Sequence, residues 1–189
     1  MRKSILYFLL ISLFSCSPNL QECKLVLDVE NPSLKLINGT LFYNENPFYG
    51  KITQFNSVNK THDLAEYIAG KKEGEEVKTY ENGSVAEQRF YTKGLKTGVH
   101  KAWWQNGQQK FELHFNDKGE YNGSVKEWYK NGQQFKDFNY KHGKEAGTQR
   151  MWQSSGKIRA NFVTKNGERF GLIGLKKCYS VNTKNEEFK

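Results

Sequence analysis

The stretch "WYKNGQQFKDFNYKHGK", Trp128 to Lys144, contains two short segments joined by Asn131-Gly132. Asn-Gly between strand-like segments is the strongest short signal for a β-hairpin with a two-residue type I′ turn, in which both central residues have positive φ. In the second segment Phe138 and Tyr140 alternate with polar residues, as in a half-buried strand. The stretch therefore predicts a β-hairpin.

The same hairpin recurs along most of the chain. Fifteen of the 17 glycines fall on one lattice, with opening glycines 24 or 25 residues apart, turn glycines nine residues later and third glycines about twenty residues later. The opening glycines are Gly50, Gly74, Gly98, Gly123, Gly147 and Gly171; the turn glycines are Gly83, Gly107, Gly132 and Gly156; the third glycines are Gly70, Gly94, Gly119, Gly143 and Gly167. Self-similarity at a fixed period indicates a repeat architecture.

Aromatic residues keep the same register, five and six residues after the opening glycine. The pairs are Thr79-Tyr80, Trp103-Trp104, Trp128-Tyr129 and Trp152-Gln153. Neighbouring side chains in a strand point to opposite faces, so the pairs predict one aromatic row on each face of a sheet. Either row is explained by packing within the sheet, and the alternative is that the less buried row binds a partner. The candidate binding residues are Tyr80, Trp103, Trp104, Trp128, Tyr129 and Trp152.

These patterns predict an all-β fold, an elongated single-layer antiparallel meander of about five 24-residue hairpin repeats. Ten strands at ~4.8 Å would make a sheet roughly 48 Å across. The segment before Gly50 is long enough to run back along the array. Its apolar residues suit it to cover one face of the sheet; they are Leu25, Val26, Leu27, Val29, Leu34, Leu36 and Ile37.

The unit G-x4-[WTY]-[YW]-x-N-G-x10-G-x3-G resembles the MORN-like repeat of the bacterial group often labelled YwqK-type, over residues 41 to about 175. The resemblance implies a single elongated, twisted sheet of hairpins without established catalytic residues. The first and last units depart from the pattern, as terminal repeats do where they face water. A label attached to the group also suggests the antitoxin of a toxin–antitoxin pair. An export signal argues against meeting a cytosolic toxin.

The N-terminus has the layout of a secretory signal, with a basic start and an apolar run from Ile5 to Phe14 that is too short to span a bilayer. Leu13-Phe14-Ser15-Cys16 resembles a bacterial lipobox, which implies that Cys16 is diacylated and anchors the chain to a membrane face outside the cytosol. An ordinary cleaved signal and an uncleaved apolar N-terminus are the alternatives. Ser17 in place of aspartate favours the outer membrane, so the expected location is a lipoprotein at the outer membrane or on a membrane surface that faces the periplasm.

Lipidation of Cys16 would leave Cys23 and Cys178 in a compartment that permits disulfides. They form either a bridge between the two ends of the folded region or two separate thiols. The predicted organisation is a signal peptide at residues 1–16, an N-terminal linker at 17–40, the repeat domain at 41–175 and a C-terminal tail at 176–189.

Charge and motif content favour no enzymatic chemistry. The formal net charge is +9 for the whole chain and +7 without Arg2 and Lys3, and no basic cluster or RNA-binding motif accompanies it, so nucleic acid is not an expected partner. The four histidines lack metal-ligand spacing, and no nucleophile or phosphate-loop motif occurs. We expect no cofactor, no metal and no catalysis.

The leading functional hypothesis is a lipid-anchored scaffold whose sheet binds another protein of the cell envelope through its exposed aromatic row. The alternative is a module that binds envelope polysaccharide or anionic lipid headgroups through the same row, with Lys101, Lys126 and Arg150 beside it. The partner, the exposed row, and pairing of two copies through an edge strand are left open by the sequence.

Overall fold

The computed structural model describes residues 25–174, which form fifteen β-strands and no helix. In chain order the strands are β1 Val26–Asp28, β2 Leu34–Ile37, β3 Thr40–Tyr43, β4 Asn46–Pro47, β5 Gly50–Asn56, β6 Thr61–Ile68, β7 Lys71–Tyr80, β8 Val85–Thr92, β9 Leu95–Trp103, β10 Gln109–Phe115, β11 Tyr121–Trp128, β12 Gln134–Lys141, β13 Lys144–Trp152, β14 Ile158–Lys165 and β15 Glu168–Leu172. No helix among these residues is long and apolar enough to cross a membrane.

Twelve strands form one sheet, in which β5 to β15 follow each other in chain order and all pair antiparallel. The short strand β1 extends the sheet at one edge by pairing parallel with β5. At the other edge lies β15. The hairpins β5–β6, β7–β8, β9–β10, β11–β12 and β13–β14 are the five predicted units, so the predicted single-layer meander is confirmed.

The sequence analysis predicted type I′ for the Asn-Gly turns, and this prediction is wrong. Only the glycine has positive φ, as in Gly83 at 81°, while Asn82 is absent from the residues with positive φ in the described chain. Gly83 N–H donates to the carbonyl of Tyr80 and Tyr80 N–H donates to the carbonyl of Ser84, both at 2.8 Å. This is a three-residue loop, a type I turn followed by a left-handed glycine. Asn82 Oδ1 further accepts the N–H of Ser84 at 3.0 Å, which favours Asn in this turn.

Type I′ turns occur instead at the opposite ends of the strands, where each hairpin passes to the next. There both central residues have positive φ, in Ala69-Gly70, Lys93-Gly94, His142-Gly143 and Asn166-Gly167. The exception is the loop that ends at Gly119, where the three-residue turn occurs. This longer turn explains the single extra residue that displaces Gly119 from the lattice.

All buried side chains in the regular, paired parts of the twelve-stranded sheet point to one face. We call this the core face and define it by Ala65, Val125, Phe138, Ala160 and Phe162. Val125, Phe138, Ala160 and Phe162 form one apolar cluster. A ladder of rings continues across the strands beside it, from Tyr91 through His100, Phe115 and Tyr121 to Tyr140, with centroids 4.6 to 5.7 Å apart. Cross-strand contacts of this kind stabilise a sheet that has no second layer over most of its length.

Part of the N-terminal segment folds differently from the prediction of a linker that covers one face with aliphatic side chains. Strands β2, β3 and β4 form a small separate sheet, and Leu36 and Ile37 are exposed. Phe48, just after β4, is 1% exposed and packs edge-on against Tyr43 and against Tyr67 of β6. The small sheet therefore packs on the first hairpin through an aromatic anchor rather than the aliphatic run, and Lys71 Nζ of β7 also donates to the carbonyl of Gly39 at 2.6 Å.

The cysteines singled out in the sequence, Cys16, Cys23 and Cys178, lie outside the described residues. The lipid anchor and the disulfide accordingly remain predictions.

Candidate functional site

The two aromatic rows lie on opposite faces of the sheet, as strand alternation predicts. We call the face opposite the core face the outer face. Side chains two residues apart in a strand share a face, and each of Trp103, Trp128 and Trp152 lies two residues after an outer-face residue. We call these three the outer-face tryptophans. Tyr80 pairs with the buried Thr61 and so lies on the core face. Trp104, Tyr129 and Gln153 follow the outer-face tryptophans directly in the chain and form the rest of the core-face row.

The core-face row connects each hairpin to the next. Tyr80 Oη donates a hydrogen bond to the backbone carbonyl of Trp103 at 2.9 Å. Trp104 Nε1 donates in the same way to the carbonyl of Trp128, and Tyr129 Oη to that of Trp152, both at 3.1 Å. A polar tip on an apolar ring suits this position, because the ring packs in the sheet while the tip satisfies a carbonyl. Tyr80, Trp104 and Tyr129 thus connect neighbouring hairpins by hydrogen bonds, in addition to the packing that the sequence analysis considered.

Asparagines of the turns add a second connection between neighbouring hairpins. Asn106 Nδ2 donates to the carbonyl of Lys130 at 2.9 Å, and Asn131 Nδ2 donates to that of Ser154 at 3.1 Å. The repeated Asn therefore joins one turn to the next as well as shaping its own turn.

The outer-face tryptophans have no such role. Within residues 25–174 their side chains take part in no hydrogen bond and no ring contact. Each is partly exposed, and no buried side-chain nitrogen or oxygen in this part of the chain lacks a partner. The three indole N–H groups are therefore open to solvent or to a partner.

Next to these tryptophans runs a row of side chains that crosses the whole outer face. Strand register aligns one residue from each of the twelve strands. In order they are Asp28, Thr53, Leu64, Val77, Gln88, Lys101, Glu112, Lys126, Asp137, Arg150, Asn161 and Leu172. On the five successive strands in the middle of this row, the charge alternates between positive and negative. We call these five side chains the charge ladder: Lys101, Glu112, Lys126, Asp137 and Arg150. Opposite charges directly across strands stabilise the register.

The outer face becomes apolar towards the first hairpin. Leu64 and Phe55 are 41% and 49% exposed, and the Phe55 ring lies 4.8 Å from the ring of His62. With Val77 these residues line a shallow cavity of about 340 Å³. The outer face therefore combines an apolar end, three open tryptophans and a charge ladder.

Most of the described titratable groups with a shifted pKa lie on the core face; the exception is Glu112 of the charge ladder, whose pKa is lowered chiefly by its hydrogen bond with His114. Glu76 is 7% exposed, ion-pairs with Lys72 and accepts a hydrogen bond from Tyr91 Oη at 3.0 Å. Burial acts to raise the pKa of Glu76, but the hydrogen bond and charge of Lys72 leave it below its ordinary value. Burial, with the charge and hydrogen bond of Glu76, raises the pKa of Tyr91 to about 12. Every polar group here has a partner, which is typical of a structural network.

His100 and Gln149 occupy equivalent positions, each two residues after an opening glycine, and both are buried. His100 Nε2 lies 2.9 Å from the carbonyl oxygen of Phe90. Gln149 Nε2 donates to the carbonyl of Asn139 at 2.9 Å, and Gln149 Oε1 accepts the N–H of Asn139 at 3.0 Å. Each side chain bonds backbone groups freed where the strand register shifts. Burial lowers the pKa of His100.

The described residues contain no group of three or more His, Cys, Asp or Glu side chains placed to hold a metal ion. Two features of the site were missed from the sequence. The position two residues after each of the first five opening glycines is buried and holds Ile52, Glu76, His100, Val125 and Gln149. The position three residues after each turn glycine is a β-bulge and holds Ala86, Lys110, Phe135 and Arg159. Both could have been found by aligning the repeats on their glycines.

Comparison of the sequence with protein-family models gave no match, and neither did comparison with curated proteins.

Proposed function

We propose that the protein is a non-catalytic scaffold, anchored by lipid at Cys16 to the cell envelope, that binds another envelope protein through the outer face of its sheet. The observation that carries this proposal is the row of three outer-face tryptophans whose indole groups make no hydrogen bond or ring contact within residues 25–174. Tryptophan is among the residues that contribute most binding energy at protein interfaces.

The charge ladder supports a protein partner over the alternative of polysaccharide or anionic lipid headgroups on this face. Lys101, Lys126 and Arg150 alternate with Glu112 and Asp137, and Lys101 Nζ lies 3.7 Å from Glu112. A surface of alternating sign does not concentrate anions. It gives orientation and specificity towards a partner with the complementary pattern.

The resemblance to MORN-like repeats is consistent with this role, since repeat arrays commonly present extended binding surfaces. The placement of the chain at the outer membrane, facing the periplasm, remains part of the proposal. It depends on the lipobox resemblance, and Cys16 lies outside the described residues.

The test is affinity capture from detergent-solubilised membranes with the full-length chain as bait. We expect a protein that wild type enriches over empty resin to be lost with Trp103→Ala/Trp128→Ala. The matched control is Leu95→Ala, which removes an apolar side chain that is 48% exposed at the other ends of the strands, and it should retain the protein. Melting curves must show that both variants are folded. Equal enrichment by all three baits, or none by wild type, would contradict the proposal.

A further inference from the structure

A second cavity, of about 250 Å³, lies on the core face at the ends of the strands that carry the Asn-Gly turns. Four consecutive hairpins contribute to it. Asn59 comes from the first, Tyr80 and Ala86 from the second, Trp104 and Lys110 from the third, and Lys130 from the fourth. We call it the Trp104 cavity.

The cavity exists because one bulge position carries a small residue. In the fourth hairpin the bulged Phe135 packs edge-on against Tyr129, with ring centroids 5.2 Å apart. The equivalent pair in the second hairpin is Ala86 and Tyr80, and a methyl group cannot fill the space of a phenyl ring. The place occupied by a ring in one repeat is thus left open in another.

Two lysines give the cavity an excess of positive charge. The ammonium groups of Lys110 and Lys130 lie 4.7 and 5.5 Å from the centre of the Trp104 ring. In the described part of the chain neither has a carboxylate within ion-pair distance. Each ammonium group is therefore within cation–π distance of the same indole ring, and neither charge is neutralised by a carboxylate of the described residues.

The other charges at the cavity are neutralised. Lys78 Nζ lies 2.8 Å from Asp63, and Glu87 lies 2.7 Å from Arg89. The excess of positive charge therefore comes from Lys110 and Lys130, and it faces an aromatic wall. Such a site attracts an anionic group and strengthens its hydrogen bonds to the ammonium groups.

We propose that the Trp104 cavity binds an acidic sugar unit, with its carboxylate between Lys110 and Lys130 and its ring against Trp104 and Tyr80. The volume suits one sugar ring rather than a larger ligand. The amides of Asn59 and Gln105 line the same space and can bond hydroxyl groups. Trp103 also lines the cavity. The groups assigned to the sugar are Trp104, Tyr80, Lys110 and Lys130, none of which is an outer-face tryptophan, so this site does not depend on the proposed function.

The test follows the indole N–H signals of the 15N-labelled full-length chain in detergent by NMR, with the Trp104 signal identified by Trp104→Phe. D-Glucuronate should shift that signal saturably. D-Glucose, which lacks the carboxylate, and inorganic phosphate, which lacks the sugar ring, should require at least about tenfold higher concentrations. No saturable shift with glucuronate would overturn the proposal. An equal response to glucose or to phosphate would overturn it as well.

The chain itself supplies the variants. Lys110→Gln should weaken glucuronate binding at least about tenfold. Ala86→Phe copies the Phe135 arrangement and should abolish binding by filling the cavity. The control Lys157→Gln removes an exposed lysine of the last hairpin and should bind as wild type does. Unchanged binding by Lys110→Gln refutes the site even if Ala86→Phe fails to fold.

Discussion

Replacement of Tyr129 by Phe removes one connection between hairpins and leaves everything else in place. The variant deletes the hydroxyl that donates to the carbonyl of Trp152 at 3.1 Å, while the ring remains packed edge-on against Phe135. The loss of one such bond lowers the free energy of unfolding by about 1 kcal/mol. Tyr80→Phe breaks the equivalent bond to Trp103. The two sites share no partner, so the double variant should lose about 2 kcal/mol.

Urea denaturation followed by circular dichroism measures this effect. With a denaturant slope of about 2 kcal/mol per molar, the midpoint should fall by roughly 0.5 M for Tyr129→Phe and 1 M for the double variant. The slope itself should not change, because the strand ladder between neighbouring hairpins is intact. Tyr49→Phe is the matched control, since Tyr49 is 58% exposed and its hydroxyl makes no hydrogen bond in residues 25–174. A midpoint for Tyr129→Phe no lower than that for Tyr49→Phe would refute the role of the core-face row.

Three further outcomes are expected. Burial and Glu76 raise the pKa of Tyr91 from its ordinary value near 10 to about 12, so the folded state disfavours ionisation of Tyr91. Stability should therefore fall as pH rises through this interval, and Tyr91→Phe should remove most of that fall in pH-dependent melting curves. The pKa of His100 is lowered in the folded state, so the unfolded chain protonates this imidazole more readily and stability should fall as pH drops below about 6.5. The variant His100→Gln, which copies Gln149, should stay folded and abolish this loss of stability. An acid stability profile of His100→Gln that matches wild type would contradict the prediction. Metabolic labelling with a fatty-acid analogue should mark the wild-type chain but not Cys16→Ala, and incorporation into the variant would reject the lipid anchor.

The hairpins and their order could be predicted because every repeat carries its turn glycines at fixed spacing. The turn types could not, since Asn-Gly suits both a two-residue type I′ turn and a three-residue loop with a left-handed glycine. The choice depends on strand register, which places Tyr80 N–H opposite the carbonyl of Ser84. Conversely, Lys93-Gly94 forms a type I′ turn without the usual asparagine, because the strands it joins leave only two residues between them.

The core was hidden from the sequence by its mixed chemistry. In each of the five hairpins the residue two after the opening glycine is buried, but it is Glu76 in one and His100 in another. Hydrophobic periodicity does not detect such a position. Burial is tolerated there because Glu76 ion-pairs with Lys72 and His100 bonds the backbone of Phe90.

The division of the aromatic pairs between two faces follows from strand alternation, but the role of each row does not. Both rows are partly exposed, so burial alone does not separate them. They differ in what their polar atoms do, as the adjacent Trp103 and Trp104 illustrate. The Trp104 N–H bonds the next hairpin, whereas that of Trp103 makes no hydrogen bond within the described residues.

Site-specific photo-crosslinking in intact cells tests the central claim, that partners bind the outer face. Lys126 and Glu127 are adjacent in β11 but lie on the outer face and the core face respectively. A photoreactive amino acid at position 126 should give a discrete crosslinked product with another envelope protein, while the same group at position 127 should give none. Products of equal yield from both positions, or a product only from position 127, would contradict the proposed binding surface.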